Sequence, residues 1–157
     1  MMSRPEAAPV PGCGICGLIA QIRAGGFEDF IVELDRHFVI LGEAQFYRGY
    51  CALLMKSHCT ELHALPPDQA RGAFDEVLLV AASIASVVRP LRLNYENLGN
   101  QEPHLHWHIF PRFEDDLMRL EPVWMRPPAQ RKVTLEEQDR RALIGELRAE
   151  INRRRRF

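Results

Sequence analysis

The feature of this chain that most restricts its fold is a run in which histidines alternate with large apolar residues. The run is His104-Leu105-His106-Trp107-His108-Ile109-Phe110. A period of two predicts a β-strand, because successive side chains of a strand point to opposite faces of the sheet. Leu105, Trp107 and Ile109 are predicted to face a core. At about 3.3 Å of rise per residue, the three imidazoles are predicted to lie roughly 7 Å apart on the other face.

A row of imidazoles favours a chemical function over a purely structural one. Imidazole can attack an electrophile, exchange a proton near neutral pH or ligate a metal ion. A structural role would require hydrogen-bond partners for both nitrogens of every ring, which a whole face of histidines seldom needs. Two interpretations follow: nucleophilic catalysis, or a metal site made from two or three rings. One ion bound by all three is disfavoured, since rings spaced along one strand converge poorly on a tetrahedral centre.

The remaining hydrophobic pattern predicts an α+β fold. Further strands are predicted over residues 30–34, 37–41, 50–55 and 91–95. Apolar residues at helical spacing predict one main helix over residues 68–88, with Pro67 in the first turn. Thr134-Leu135-Glu136-Glu137 has the pattern of a capping box and predicts that a final helix begins there and runs to about Arg154.

Length and composition predict one domain with its own core, because 157 residues and 46% hydrophobic content are ordinary for such a domain. We expect a flexible arm over residues 1–12 and the main domain over residues 13–113. An extension over residues 114–157, with a Pro-rich segment around Trp124 and the final helix, is expected to pack on the same domain. Four arginines at residues 153–156 indicate a solvated helix end, with a substrate phosphate contact as the alternative.

Charge and targeting patterns exclude several classes of partner. The net charge of −1 predicts no general attraction to nucleic acid or to an anionic membrane. The sequence has neither the apolar run of a signal peptide nor a stretch long enough to span a membrane, so a cytoplasmic location is expected. Four cysteines are too few for a disulfide scaffold at this length, and they are expected to be thiols unless they bind metal.

Residues 104–112, His-Leu-His-Trp-His-Ile-Phe-Pro-Arg, match at every position the signature of the histidine triad family. That signature alternates His with apolar residues and is usually followed by Pro-Arg. Residues 46–58 are similar to the family's strand that leads to a Lys-x-His, and residues 93–100 are similar to its approach to the triad. The chain therefore resembles this family over about residues 13–113. Within the family it resembles bacterial diadenosine polyphosphate hydrolase-like members, several of which have such an extension.

The resemblance implies a HIT-like fold: an antiparallel sheet of about five strands, one main helix and a C-terminal helix, in a homodimer. It also implies a nucleotide hydrolase or nucleotidyl transferase that acts on dinucleoside polyphosphates or nucleoside phosphoramidates. His106 would form a covalent nucleotidyl intermediate, and His108 would contact the phosphate and the leaving group. His104 would support the nucleophile or turn outward as a zinc ligand. The chemistry would need no cofactor, and the only magnesium expected is that carried by a polyphosphate substrate.

A structural zinc site is a second expectation. Cys13-Gly14-Ile15-Cys16 has the spacing that lets two thiolates share one tetrahedral ion. The resemblance adds His58, at the position where zinc-containing members have a third ligand, and His104 would complete the set. Free thiols are the alternative. A thioredoxin-like redox pair is also compatible with Cys-x-x-Cys, but no βαβ pattern accompanies it here.

Three further residues are candidate substrate contacts. Asn100 lies where many family members have a glutamine that contacts phosphate, although it is equally suited to the turn after Gly99. Asn94 is expected to bond ribose or a loop, and Arg112 to approach phosphate or to cap a strand end. The other histidines, at positions 37 and 63, are expected at the surface or its boundary.

Two positions depart from the family pattern. Tyr50 stands where several members have a further histidine, so the support of the triad is expected to differ. Gly42 lies near the place where an Asp or Asn often holds the ribose hydroxyls, which leaves Glu43 or Gln45 for that contact. Because of Tyr50 and Asn100, a nucleotide-binding regulator with little turnover is the alternative to an enzyme.

Overall fold

A computed structural model describes residues 9–156, so most of the predicted N-terminal arm lies outside the described residues. Nine helices and strands are defined in the described part of the chain. In order they are α1 (Gly14–Arg23), β1 (Phe30–Glu33), β2 (His37–Leu41), β3 (Cys51–Met55), α2 (Pro67–Val88), β4 (Arg92–Glu96), β5 (His106–Arg112), α3 (Pro128–Arg131) and α4 (Glu137–Arg154). Short 3-10 turns lie at Leu62–Ala64 and Val123–Met125. No helix within residues 9–156 is long and apolar enough to cross a membrane.

The five strands form one antiparallel sheet with the order β1-β2-β3-β5-β4. The predicted α+β class and five-stranded antiparallel sheet are therefore confirmed. The histidine strand β5 lies between β3 and the edge strand β4, with His106 opposite Leu54 and His108 opposite Ala52. This position gives β5 neighbours on both sides, and those neighbours fix the direction of its side chains.

One face of the sheet carries α2 and α4. Helix α2 begins at Pro67, whose fixed φ suits the first helical position. It ends where Arg89 takes a left-handed conformation with φ of 48°. The main core lies between these helices and the sheet, and it includes Trp107 and Ile109 from β5, as the alternation predicts.

The opposite face carries α1, a helix that the sequence reasoning missed. Its Ile15, Ile19 and Ile22 pack on apolar residues of β2 and β3, including Phe38 and Leu54. The spacing of these isoleucines, at i, i+4 and i+7, is the pattern of an amphipathic helix. Because α1 covers only part of this face, the histidines beside it line an open cleft.

Three local predictions were wrong. Helix α4 begins at Glu137, not at the predicted capping box, and its N-cap Glu136 makes no side-chain capping bond. The segment before the helix is held by tertiary contacts, since Val133 forms a bridge to Ala44 and Leu135 packs on the main core. The histidine strand begins at His106 rather than His104. His37, expected near the surface, is fully buried and bonds Glu76 across 2.7 Å, whereas residue 63 is exposed as expected.

Candidate active site

A cleft of about 530 Å³ opens on the sheet face that carries the histidines. One half of its wall is apolar and comes from α1, β2, β3 and the loop before β1. These apolar lining residues are Ile15, Leu18, Phe27, Ile40, Ala52 and Leu54. The other half is aromatic and polar: His106, His108, Tyr50, Phe110, Trp124 and Arg131. The cleft therefore combines a surface suited to a flat apolar group with a row of hydrogen-bonding groups.

His106 is held in one tautomer. Its Nδ1 lies 2.6 Å from the carbonyl oxygen of His104, which can only accept a hydrogen bond. The proton is therefore on Nδ1, and the lone pair is on Nε2. The backbone of His106 is fixed in turn by the Asn97 side chain, whose Nδ2 donates to the His106 carbonyl oxygen across 2.6 Å. Asn97 was not among the predicted site residues.

His108 is oriented by Tyr50, whose hydroxyl lies 2.7 Å from Nδ1 of the imidazole. Burial raises the pKa of Tyr50, so the phenol keeps its proton. Burial, together with the neighbouring His106, lowers the pKa of His108 to about 4. The neutral imidazole accepts a hydrogen bond from the phenol at Nδ1, so its own proton is on Nε2. The two rings, His106 and His108, are perpendicular with centroids 4.7 Å apart.

His104 turns away from this pair and joins the predicted metal ligands. Its Nδ1 lies 3.4 Å from Sγ of Cys13 and 3.6 Å from Sγ of Cys16. Nδ1 of His58 lies 3.5 Å from Sγ of Cys16. One donor atom from each of the four residues lies within 4.8 Å of the others. The three triad histidines therefore do not converge on one ion.

The donor set fits a tetrahedral zinc ion, for which two thiolates and two imidazoles are common ligands. Nε2 of His104 donates to the carbonyl oxygen of Met55 across 2.7 Å, so Nδ1 has the free lone pair that a metal ligand needs. Burial also lowers the pKa of His104, which favours the neutral ring. Cys13 is the N-cap of α1, and its Sγ accepts from the amide of Cys16. The start of α1 thus holds both thiols in place.

Arg112 and Asn94 bond to each other instead of lining the cleft. The guanidinium of Arg112 is 2% exposed and donates to Asn94 Oδ1 across 2.8 Å. It also donates to Asp116 and to the carbonyl oxygens of Glu121 and Met118. These bonds tie the beginning of the C-terminal extension to the end of β5. We therefore interpret Arg112 as an anchor of the extension, because both of its Nη atoms donate to protein acceptors.

Gln45 and Asn100 also lie outside the histidine cleft, whereas Glu43, the alternative to Gln45 for the ribose contact, lines it. Gln45 is buried, and its amide donates to the carbonyl oxygens of Gly42 and Tyr50 and accepts from the amide of Gly49. Its side chain thus closes the turn between β2 and β3. Asn100 is exposed in the loop before β5. Glu102 in the same loop does reach the cleft and accepts a hydrogen bond from the first amide of α1.

The C-terminal extension supplies part of the cleft wall through Trp124. The indole packs edge-on against His108, with ring centroids 5.8 Å apart, and its N–H donates to Glu96 of β4. Burial raises the pKa of Glu96. The guanidinium carbon of Arg131 lies 4.6 Å from the indole centroid. The arginine run is elsewhere: Arg155, for example, bonds Asp35, which lines a different pocket.

Comparison with protein families gives one assignment, the HIT domain, which matches residues 27–115. This match covers more than half of the chain and includes the whole of the histidine strand. The chain belongs to the HIT domain family. Proteins of this family are generally nucleotide-binding hydrolases or transferases. No curated protein matches the sequence of this HIT domain at a significant level.

Solved histidine triad proteins share the fold of this HIT domain at low sequence identity. A histidine triad protein from Marinobacter aquaeolei VT8 is 21% identical, with a TM-score of 0.69 over 79% of this chain and 88% of that one. A hypothetical histidine triad nucleotide-binding protein from Sulfolobus tokodaii is 23% identical (TM-score 0.67; 88% and 93% covered). A Zn-bound family protein from Mycobacterium smegmatis is 21% identical (TM-score 0.62; 90% and 94% covered).

Proposed function

We propose that this HIT domain is a nucleotide hydrolase or nucleotidyl transferase in which His106 forms a covalent nucleotidyl intermediate. The observation that carries the proposal is the hydrogen bond from Nδ1 of His106 to the carbonyl oxygen of His104. This bond leaves the lone pair on Nε2, as a nucleophile requires, and it stabilises the positive charge that the ring acquires on attack. Dinucleoside polyphosphates and nucleoside phosphoramidates are the proposed substrate class.

The reaction has two steps. In the first, the Nε2 lone pair of His106 attacks the α-phosphorus, and the bond between phosphorus and the leaving group breaks with its electron pair on the leaving group. Nε2–H of His108 donates a hydrogen bond to an oxygen at the reacting phosphorus or on the leaving group. In the second, the oxygen of water or of another acceptor bonds the phosphorus and loses its proton to solvent, while the P–N bond breaks with its electron pair returning to Nε2 of His106. The acceptor decides whether the outcome is hydrolysis or transfer.

The apolar half of the cleft is the proposed site of the nucleobase. It is formed by side chains such as Ile40 and Leu54, which are packed on α1 and offer a flat contact without polar competition. A base there would leave its 5′-phosphate near His106, because Leu54 is directly opposite His106 in the sheet.

The four-residue Cys/His cluster is proposed to hold one structural zinc ion. The similarity to a Zn-bound histidine triad protein supports this proposal, as does the chemistry of the donor set. Zinc would supply a crosslink between α1, the loop after β3 and the start of the histidine segment. His104 would then have two functions: its ring would ligate the ion and its carbonyl oxygen would orient His106. We also propose that the active protein is a homodimer.

Intact-protein mass spectrometry tests the covalent mechanism. Wild-type protein is mixed with adenosine and guanosine polyphosphates and phosphoramidates, and product release is followed in parallel. We expect an added nucleotidyl mass that disappears in His106→Ala, with turnover reduced by a factor on the order of 10³ or more. His63→Ala is the matched control, because His63 is exposed and away from the cleft. Tight binding without adduct or product would favour the regulator, and an adduct in His106→Ala would identify a different nucleophile.

A further inference from the structure

The wall of the cleft formed by Trp124 and Arg131 lies on the opposite side of the histidines from the apolar half. The apolar half is built on β2 and β3, whereas the indole N–H bonds Glu96 on β4. Since β5 lies between β3 and β4, the two histidines of the cleft separate these surfaces. A nucleotide with its base in the apolar half would therefore direct its leaving group toward Trp124 and Arg131.

Arg131 has an unused hydrogen-bond donor at this wall. Arg131 lines the cleft, and its Nη1 has no hydrogen-bond partner among the residues described. Because this atom is covered from solvent, it reaches an anion in the cleft only when the side chain turns. A buried donor without a partner destabilises the fold, so such groups in native sites often bind a ligand or water. The guanidinium is held in place from one side by the Trp124 ring. Glu96 beside this wall accepts the indole N–H. The carboxylates in the cleft lining also have partners: Glu43 pairs with Lys132, Asp29 pairs with Arg140, and Glu102 accepts from the first amide of α1.

We propose that Arg131 binds a phosphate of the leaving group, so that the site prefers nucleotides whose α-phosphate is joined to further phosphates over those whose α-phosphate is joined to an amine. This inference rests on the proposed function and adds the class of leaving group to it. A guanidinium stacked on an indole keeps its N–H groups in one plane, which suits the oxygens of a phosphate. Arg131 is thus a specificity-determining residue supplied by the C-terminal extension.

The state of His108 supports the same class of leaving group. Because the pKa of His108 is lowered to about 4 by burial and by His106, the ring is neutral near pH 7 and donates a hydrogen bond without giving up a proton readily. When a P–O bond to a polyphosphate breaks, the bonding pair goes to a phosphate oxygen that is stable as an anion. When a P–N bond to an amine breaks, the nitrogen must gain a proton. Neutral His108 and cationic Arg131 therefore suit cleavage of the P–O bond to a polyphosphate.

The kinetic test compares two substrates that share the adenylyl group. Values of kcat/KM are measured with diadenosine tetraphosphate and with adenosine 5′-phosphoramidate, for wild type, Arg131→Gln and Arg131→Lys. We expect Arg131→Gln to lower kcat/KM for the tetraphosphate roughly 10- to 100-fold and that for the phosphoramidate less than about 3-fold. Arg131→Lys should recover part of the loss. Arg119→Gln, an exposed arginine of the same extension, should change neither value.

An equal loss with both substrates, or no loss with either, would overturn the proposal, because a merely structural Arg131 would not distinguish them. A binding measurement separates this inference from the covalent mechanism. Inorganic tripolyphosphate is titrated into each protein by calorimetry, and we expect affinity to fall at least about 10-fold in Arg131→Gln. Unchanged affinity overturns the anion contact. If wild type binds tripolyphosphate through Arg131 but forms no nucleotidyl adduct, the covalent mechanism fails and the anion contact stands.

Discussion

Tyr50 and Gly42, the two positions at which the sequence is expected to depart from the family pattern, are in contact with each other. A Cβ atom on Gly42 would lie 1.9 Å from Cε1 of Tyr50. The tyrosine ring is itself fixed by stacking on Phe110, with centroids 4.0 Å apart, and by its hydroxyl contact with His108. A glycine at position 42 is therefore what allows a tyrosine to support the triad.

This coupling predicts the effect of adding one methyl group. Gly42→Ala should lower the free energy of unfolding by about 1–3 kcal/mol, because the side chain overlaps a ring that cannot move freely. It should also slow turnover by displacing Tyr50 from His108. Urea unfolding measures the first effect, and Gly145→Ala, in an exposed part of α4 with open space around it, is the control. In a Tyr50→Ala background the same change should cost much less, and equal costs in both backgrounds would refute the coupling.

The lowered pKa of His108 predicts how stability depends on pH. The pKa is about 4 in the folded protein and about 6.5 in an unfolded chain, so the unfolded state takes up the proton first as pH falls. The His108 contribution is therefore fully present above pH 6.5 and decreases below it, by up to about 3 kcal/mol at pH 4. Urea midpoints at pH 7.5 and pH 5 should show a larger drop in wild type than in His108→Gln. Equal drops would show that His108 is not the group responsible.

The sequence correctly predicts the helices and strands that have a local hydrophobic pattern. The helix expected over residues 68–88 is α2 with one additional residue, and the strand expected over residues 37–41 is β2 without change. Helix α1 was missed because the Cys-x-x-Cys motif lies across its start, with Cys13 as the N-cap and Cys16 in the first turn, and this motif was interpreted only as a metal or thiol site. The capping-box prediction failed because contacts of Val133 and Leu135 with residues distant in sequence outweigh the local preference.

In the candidate site, too, local sequence patterns were predictive and contacts between distant residues were not. His106 and His108, singled out by their spacing, line one cleft, and the four proposed zinc ligands lie close together in space. For Arg112 the sequence left open a phosphate contact or a cap at the strand end, and its Nη atoms bond Asn94 and the extension instead of facing the cleft. Such networks join residues from separate loops, and no short pattern in the sequence encodes them. The tyrosine hydroxyl on His108 was missed for this reason.

The zinc proposal predicts that the metal is bound by the four-residue Cys/His cluster and not by His106 and His108. Elemental mass spectrometry of the purified wild-type protein should find one zinc ion per chain. Cys16→Ser should lose it and unfold at lower temperature, because the thiol links α1 to His58 and His104. It should also lose turnover, since the His104 carbonyl oxygen orients the nucleophile.

Two variants make the zinc assignment specific. Cys59→Ser changes a thiol next to His58 in sequence that bonds the Glu61 carbonyl oxygen, and it should keep its zinc. His106→Ala should also keep zinc while losing the nucleotidyl adduct. Zinc lost in His106→Ala would indicate an ion at the triad, and zinc retained in Cys16→Ser would exclude the four-residue cluster as its site.

One side of the molecule has an exposed apolar surface that no part of the described chain covers. Phe74 and Leu78 of α2 are 45% and 49% exposed, and Tyr95 of the edge strand β4 is 48% exposed. Phe74 and Leu78 lie one helical turn apart, so they form one surface. An edge strand with open backbone groups beside apolar side chains favours pairing with another chain. A second copy of this chain, which would extend the sheet across β4, is the occupant that the family resemblance implies.

This surface makes the homodimer testable. Light scattering after size-exclusion chromatography should give twice the chain mass for wild type and the single-chain mass for Leu78→Glu, because a carboxylate cannot be buried unpaired between two apolar faces. Leu117→Glu is the matched control, since Leu117 is 94% exposed in the extension and outside this surface.

Trp107 of β5 packs on Phe74 with ring centroids 5.7 Å apart, so separating the subunits would also loosen the strand that carries the nucleophile. We therefore expect turnover to fall in Leu78→Glu while the zinc content stays at one per chain. A Leu78→Glu protein that remains dimeric, or a wild type that is monomeric, would show that this surface does not join two copies.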